Sequence, residues 1–140
     1  MLQMYTSVPY GKVVQKDNSI VFDNKVIQTD CTITANEPTN KITLRRAGIY
    51  LVKFNAIISN TTSASEFIGI NMERDGVDVR EAQTGASSSA TNDLVPVSFS
   101  TLVKVKPSCC AVDNTTRLQF KVTGSDTLVY FANVIVSKLE

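Results

Sequence analysis

The closing stretch of the chain, Thr127–Glu140 (TLVYFANVIVSKLE), carries bulky apolar side chains on both faces of the strand that it predicts. Because side chains alternate across a β-strand, Val129, Phe131 and Ile135 point to one side. The other side receives Leu128, Tyr130, Ala132, Val134 and Val136. Leaving a large apolar side chain in water forgoes about 1.5–3 kcal/mol of burial. This stretch therefore predicts a strand that is covered on both faces, and the sequence does not decide which face meets the core.

The rest of the chain has the patterns of short antiparallel strands. In residues 117–123 (RLQFKVT), apolar and polar residues alternate, which is typical of a half-buried strand with one wet face. Asp75 and Gly76 predict a tight hairpin, since glycine adopts the positive φ that such a turn requires. No segment of ten or more residues keeps a helical apolar period. Turn-rich stretches separate eight or nine strands, so we expect an all-β antiparallel sandwich of two sheets, either Greek-key or jelly-roll.

Length and charge limit the organisation of the chain and its partners. The 140 residues contain no linker and no repeat, so residues 1–140 are expected to form a single domain. The 14 basic and 13 acidic residues are mixed along the chain and give a net charge of +1, which argues against binding to nucleic acid or to a membrane. The sequence lacks an apolar run of about 18 residues, and its start lacks the pattern of a secretion signal. We expect a soluble chain that is made without export.

Three cysteines, Cys31 and the adjacent pair Cys109 and Cys110, leave several alternatives open. The odd count argues against a closed disulfide framework, and a chain without histidine cannot build an ordinary zinc site. Cys31 could form a disulfide with one member of the pair, cysteines of several subunits could form a thiol cluster, or all three could be reduced and packed. A nucleophilic cysteine would need a base, and the sequence shows no such arrangement. We expect no enzymatic activity, no cofactor and no metal site.

Apolar groups that face away from the core are expected to meet the same groups of another copy. A two-layer sandwich of this length has little chain left for a third layer, and closed homo-oligomers are the usual way to hide a self-complementary patch. The stretch Glu66–Met72 (EFIGINM) repeats the two-faced pattern of the last strand. The predicted subunit interface consists of Leu51, Ile57, Ile68, Ile70, Val129, Phe131 and Ile135.

The order of these features resembles a known superfamily. The stretches ITL (residues 42–44), AGIYLVKFN (residues 47–55), RDGV (residues 74–77) and TLVYFANVIV (residues 127–136) are similar to the jelly roll of the tumour necrosis factor (TNF) and complement globular-head superfamily. The resemblance covers nearly the whole chain. It implies a TNF-like jelly roll whose central strand opens with Gly48–Tyr50, and a homotrimer in which the last strand runs along the axis.

A narrower resemblance concerns the opening MLQMYT, Cys31 within CTIT, the strand STLVKV, and the pair Cys109 and Cys110. These are similar to small phage-encoded proteins of gut bacteria, which are taken to be virion components that decorate the capsid or head. The resemblance implies a non-enzymatic structural virion protein, either a homotrimeric capsid decoration or a head-fibre component. Its partners would be further copies of itself and phage capsid or head proteins. It would be assembled in the host cytoplasm and lie on the capsid surface of the virion.

The alternative function is an adhesin tip with the same trimeric fold, which would bind a glycan or protein of the host surface. The N-terminal residues 1–12 also have two interpretations: an attachment arm to the capsid through Leu2, Met4 and Tyr5, or an edge strand of the sandwich. The calcium sites of the superfamily cannot be carried over, because the candidate acids are isolated in turns, where a carboxylate usually bonds its own backbone. These acids are Asp75, Asp78, Asp93, Asp113 and Asp126.

Overall fold

The computed structural model describes residues 1–6, 12–22, 24–29, 31–35, 41–62, 64–89, 93–107 and 116–140. The regular secondary structure of these residues consists of eleven β-strands. The strands are β1 (Leu2–Tyr5), β2 (Lys12–Val14), β3 (Asn24–Gln28), β4 (Ile33–Thr34), β5 (Ile42–Leu44), β6 (Gly48–Asn60), β7 (Glu66–Arg74), β8 (Val77–Ser88), β9 (Val95–Val105), β10 (Thr116–Thr123) and β11 (Thr127–Lys138).

The strands form two antiparallel sheets. The six-stranded sheet has the order β3-β1-β11-β6-β9, and β2 also pairs with β11. The five-stranded sheet has the order β4-β5-β10-β7-β8. The expected all-β antiparallel sandwich of two sheets is confirmed. The strand count exceeds the expected eight or nine because β1 to β4 contain only two to five residues each, too few to show a clear apolar alternation.

The hairpin between β7 and β8 turns at Asp75 and Gly76, as the sequence predicted. Their φ angles are 51° and 85°, in the left-handed region that glycine occupies without steric penalty and aspartate tolerates. The turn is also fixed to β10: the Asp75 amide donates to the Arg117 carbonyl, and the Arg117 amide donates to Asp75 Oδ1, both at 2.9 Å. A local turn signal thus also sets the register of a third strand.

Four aromatic rings join the two sheets at the centre of the core. Phe54 of β6 and Phe120 of β10 come from opposite sheets and stack with their ring centroids 4.9 Å apart. Phe99 of β9 stacks on Phe54 at 5.3 Å, and Phe22 meets Phe120 edge-on at 5.8 Å. Offset and edge-on ring pairs of this kind add to the stabilisation from burial alone. The aromatic cluster therefore fixes which side of each sheet is the inner one.

The strand β11 changes its alternation at a bulge between Val129 and Phe131. Val129 pairs with Ile58 and Phe131 with Ile57, so Tyr130 is the extra residue. Val129 is only 2% exposed, whereas Phe131 is 39% exposed. The expectation that both side chains share one face is therefore wrong for Val129, since strict alternation holds only along an unbulged strand.

The N-terminal strand β1 lies inside the six-stranded sheet, between β3 and β11. It is therefore not an edge strand, which corrects one of the two interpretations of this segment. Leu2 and Met4 are fully buried in the core, and Tyr5 points to the opposite side, where it pairs with Asn133. The amino group of Met1 donates to Thr29 Oγ1 at 2.8 Å, which ties the start of the strand to the end of β3.

Candidate subunit interface

The three strands β11, β6 and β9 are neighbours in the six-stranded sheet and build a continuous surface on the side away from the core. We call this surface the outer face. It arises because every second residue of each strand is buried against the five-stranded sheet, which sends the residues between them outward. The apolar side chains of the outer face are Ile49, Leu51, Ile57, Pro96, Leu102, Leu128, Phe131 and Ile135.

The strand register brings these apolar side chains together in pairs. Ile57 of β6 lies between Phe131 of β11 and Pro96 of β9, and Leu51 lies beside Leu102. Leu102 is 58% exposed and Phe131 is 39% exposed. Side chains opposite each other on neighbouring strands are in contact range, so each pair forms one apolar patch rather than two isolated groups. The outer face thus has apolar groups at both ends of the three strands that build it.

Polar side chains occupy the middle of the outer face. Asn55 and Asn133 are opposite each other, and Gln3 Nε2 donates to Asn133 Oδ1 at 3.3 Å. The outward positions of β6, β9 and β11 hold two charged side chains, Lys53 and Lys104, and no carboxylate. A surface with this few charges can be desolvated against another surface at small electrostatic cost, because few ions lose their hydration.

Four of the seven residues predicted for a subunit interface lie together on the outer face: Leu51, Ile57, Phe131 and Ile135. The other three, Val129, Ile68 and Ile70, are buried in the core of the protomer and cannot form a contact between copies. The β11 bulge explains why the side chain of Val129 points into the core. The strand β7, which carries Ile68 and Ile70, belongs to the five-stranded sheet and turns this side of the strand inward.

Two exposed residues of the outer face were missed, Pro96 and Leu102. Both lie in β9, whose buried residues Val97, Thr101 and Val103 alternate with exposed ones. The alternation along residues 95–105 could have identified Leu102, since it shares a parity with Ser98, Ser100 and Lys104.

The remaining predicted residues lie away from the outer face or outside the described residues. Cys31 is an exposed free thiol just before β4. Cys109 and Cys110 lie outside the described residues, so a disulfide or thiol cluster with them stays a prediction. Of the proposed attachment residues, Leu2 and Met4 are enclosed in the core, and only Tyr5 points outward.

Three of the candidate acids, Asp93 and Asp126 in turns and Asp78 in β8, have partners in the protein itself. Asp93 Oδ2 accepts from the amide of Ser89 at 2.9 Å and from its hydroxyl at 2.8 Å, and these bonds lower the pKa of Asp93. Asp126 Oδ1 accepts from the Lys16 amide at 2.8 Å, and Asp78 pairs with Lys121 Nζ at 3.2 Å. No three His, Cys, Asp or Glu side chains of the described part of the chain group as metal ligands. Nor does that part contain a helix long and apolar enough to cross a membrane.

The strand order and the two antiparallel sheets define a TNF-like jelly roll. Solved structures with this fold include murine APRIL at pH 8.5, which is 14% identical, has a TM-score of 0.59, and matches over 99% of this chain and 98% of its own. Vertex protein P5 of the phage PRD1 is 14% identical, with a TM-score of 0.61 and coverage of 99% of this chain and 96% of its own. Murine APRIL at pH 5.0 is 10% identical and has a TM-score of 0.59, and the match covers 99% of this chain and 98% of its own. No protein-family model and no curated protein matches the sequence.

Proposed function

We propose that this protein is a non-enzymatic structural component of a bacteriophage virion, a homotrimer that decorates the capsid or forms part of a head fibre. The observation that carries the proposal is the outer face, where Phe131, Leu102 and their neighbours leave apolar groups in water in the single chain. Its likeness in fold to a phage vertex protein supports the virion role, and the resemblance of the sequence to small phage-encoded proteins supports it independently.

The proposal of self-association through the outer face is based on the side chains that each sheet exposes to solvent. The five-stranded sheet turns mostly polar and charged groups outward, including Lys121 with Asp78 and Glu73. Its exposed large apolar side chains, Phe67 and Val77, lie apart at opposite ends of the β7–β8 pair. The outer face of the six-stranded sheet carries the apolar pairs and only lysines as charges. Burial of the apolar pairs between copies would recover the free energy that exposure forgoes. A threefold arrangement is closed, so every outer face is buried in a contact between copies. Because no outer face remains free, the assembly does not grow into a filament.

In this proposal the protein acts by binding rather than by reaction. The strands supply the contacts between copies, and the loops at the sheet ends remain available to the capsid or to the surroundings. Leu2 and Met4 cannot contact the capsid, because their side chains are part of the core. Of the attachment residues proposed within residues 1–12, we therefore retain Tyr5 and the residues after it.

The number of copies in purified virions, measured by quantitative mass spectrometry, tests the virion role. A decoration protein is expected in many copies, in a multiple of three, and antibody labelling should mark the head. A handful of copies at a tail or fibre tip would contradict decoration and support the adhesin alternative, since both functions share the fold. Absence from purified particles would contradict both.

A further inference from the structure

The edge of the sandwich where β3 of one sheet faces β4 and β5 of the other contains a cleft of about 320 Å³. The residues that line it are Lys25, Gln28, Thr34, Ala35, Lys41, Thr43 and Arg45. Three of the seven carry a positive charge, and none of these described residues is a carboxylate. This cleft is separate from the outer face, and no step of the proposed function uses it.

Two hydrogen bonds orient the basic side chains of the cleft, one across it and one along its β4–β5 side. Lys25 Nζ donates to the carbonyl of Ala35 at 3.3 Å, which links the edges of the two sheets. Arg45 Nε donates to Thr34 Oγ1 at 2.9 Å. An ammonium has three N–H donors and a guanidinium has five, so each of these bonds uses only one donor of its group. Lys25 and Arg45 are thus oriented by the protein and retain donors for a ligand.

The charge and the neutral lining together indicate the class of ligand. Two fixed cations on opposite sides of a small cleft favour an oxyanion, and guanidinium binds sulfate, phosphate and carboxylate through paired hydrogen bonds. Gln28, Thr34 and Thr43 add amide and hydroxyl groups, which match the hydroxyl groups of a sugar. The lining contains no aromatic ring on which a nucleobase could stack. The volume lies near the lower limit of small-molecule sites, which is about 300 Å³.

We propose that this cleft binds an acidic saccharide, whose sulfate, phosphate or carboxylate group is held by Lys25 and Arg45 and whose hydroxyl groups contact Gln28, Thr34 and Thr43. Lys41, which also lines the cleft, adds positive charge and takes part in another polar interaction of the protein. The proposal rests on the cleft of a single chain and does not require self-association or a place on the virion.

Titration of ¹⁵N-labelled protein with monosaccharides tests the proposal, using amide chemical shifts as the readout. The probes are glucose 6-sulfate, glucose 6-phosphate and glucuronate, compared with glucose and with inorganic phosphate. Saturable shifts are expected at Lys25, Thr34 and Arg45 with at least one charged sugar, and that sugar should bind more tightly than inorganic phosphate. Its identity shows which acidic group the cleft prefers. Glucose should cause no shift at millimolar concentration, and added salt should weaken the binding.

Four variants distinguish a specific site from general attraction by positive charge. Lys25→Gln and Arg45→Gln should each weaken binding about three- to tenfold, because each removes one charge-assisted contact at a partly exposed position. Arg45→Lys keeps the charge and should retain more affinity than Arg45→Gln. Arg80→Gln removes an exposed arginine from β8, the opposite edge of the same sheet, and should leave the affinity unchanged.

Three results would overturn the proposal: no saturable shift with any charged sugar, an equal loss of affinity in Arg80→Gln, or tighter binding of inorganic phosphate or of a short single-stranded oligonucleotide than of every charged sugar. Amide spectra of each variant show whether it is folded. A monomeric protein that still binds the sugar would contradict the proposed trimer while supporting this site, so the two proposals fail separately.

Discussion

At the scale of single residues, Phe131 is the outer-face side chain that most clearly indicates a contact with another copy of the chain. It is bulky, 39% exposed and placed beside Ile57 by the register of β11 and β6. The other exposed phenylalanine, Phe67, has a local explanation. Its ring lies over glycines: a Cβ atom added at Gly85 or Gly124 would lie 2.6 Å or 2.9 Å from a carbon atom of that ring. Phe67 therefore packs on its own sheet, and Phe131 is left for another copy.

The substitution Phe131→Ser should dissociate the proposed trimer without unfolding the protomer. Central aromatic residues of an interface often contribute about 2 kcal/mol or more per residue, which would weaken association by more than tenfold. Analytical ultracentrifugation of the variant should show a monomer at concentrations where the unchanged protein is assembled. Phe67→Ser is the matched control, since it removes an exposed phenylalanine from the other sheet. If both variants keep the same assembled mass, the outer face is not the contact surface.

The stacked pair of Phe54 and Phe120 predicts a large stability effect at one position. Phe120 is fully buried, and its ring meets Phe54 of the opposite sheet and Phe22, which lies between β2 and β3. Phe120→Ala should lower the free energy of unfolding by about 3–5 kcal/mol, because it removes the ring and leaves a cavity. Urea denaturation followed by circular dichroism measures this change. A loss below 1 kcal/mol would show that the sheets are not held together at this cluster.

The ion pair between Lys121 and Asp78 predicts a dependence of stability on pH. The hydrogen bond from Lys121 to Asp78 raises the pKa of Lys121 above its ordinary value of 10.5, and the nearby charge of Glu73 acts in the same direction. A raised pKa in the folded state means that the pair stabilises the fold from neutral pH up to about 10.5 and that this contribution is lost as the pH rises through the raised pKa.

The substitution Lys121→Gln should therefore lower stability by up to about 1 kcal/mol at pH 7, the usual upper limit for a partly exposed pair. The difference between the two proteins should shrink as the pH rises above 10.5. Thermal or urea unfolding of both proteins between pH 7 and pH 11.5 measures it. A difference that is constant across this range would mean that the lysine stabilises through packing and not through its charge.

At the scale of elements, the bulge in β11 decides which side chains reach the surface. Alternation along the sequence grouped Phe131 and Ile135 on one side of β11 and Leu51 and Ile57 on one side of β6, and left open which side of each strand is the outer one. It misplaced Val129, because a bulge depends on the register between two strands and leaves no mark in the apolar pattern of one. Ile68 and Ile70 were misplaced because Phe67 gave β7 an apolar group on its other side. The remaining residues of that side are Gly69, Asn71 and Glu73, and the buried side is the one that carries Ile68, Ile70 and Met72.

The strand β1 shows why short elements escape prediction from sequence. Four residues give only two inward positions, Leu2 and Met4, and an amphipathic pair of this kind fits an arm or a strand equally well. Pairing with β3 and β11, more than a hundred residues apart in the chain, makes it an internal strand. Clear alternation over eight residues in β10, by contrast, was enough to predict that strand from its sequence alone.

Substitutions in β1 separate a core strand from an attachment arm. Met4→Ala should lower the free energy of unfolding by about 2–5 kcal/mol, because Met4 is fully buried. Tyr5→Ala, in the next and outward-facing position, should cost less and is the control. Chemical denaturation of both variants gives the comparison. Equal and negligible effects would mean that β1 is not part of the core.

At the scale of the whole molecule, the two sheets present different surfaces to solvent. The five-stranded sheet presents an ion pair, polar groups and the two separate apolar side chains Phe67 and Val77 to solvent. The six-stranded sheet presents apolar pairs with an asparagine pair between them. An asymmetric sandwich of this kind has one surface suited to copies of itself and one suited to water. The jelly-roll topology makes this possible because it places the last strand, β11, at the centre of the apolar side.

The mass of the unmodified protein in solution tests the central claim most directly, because the proposed role requires the outer face to be covered by copies of the same chain. Light scattering coupled to size-exclusion chromatography, at micromolar concentration, should give a mass about three times that of the 15.3 kDa chain. A mass equal to that of one chain across this concentration range would contradict the account.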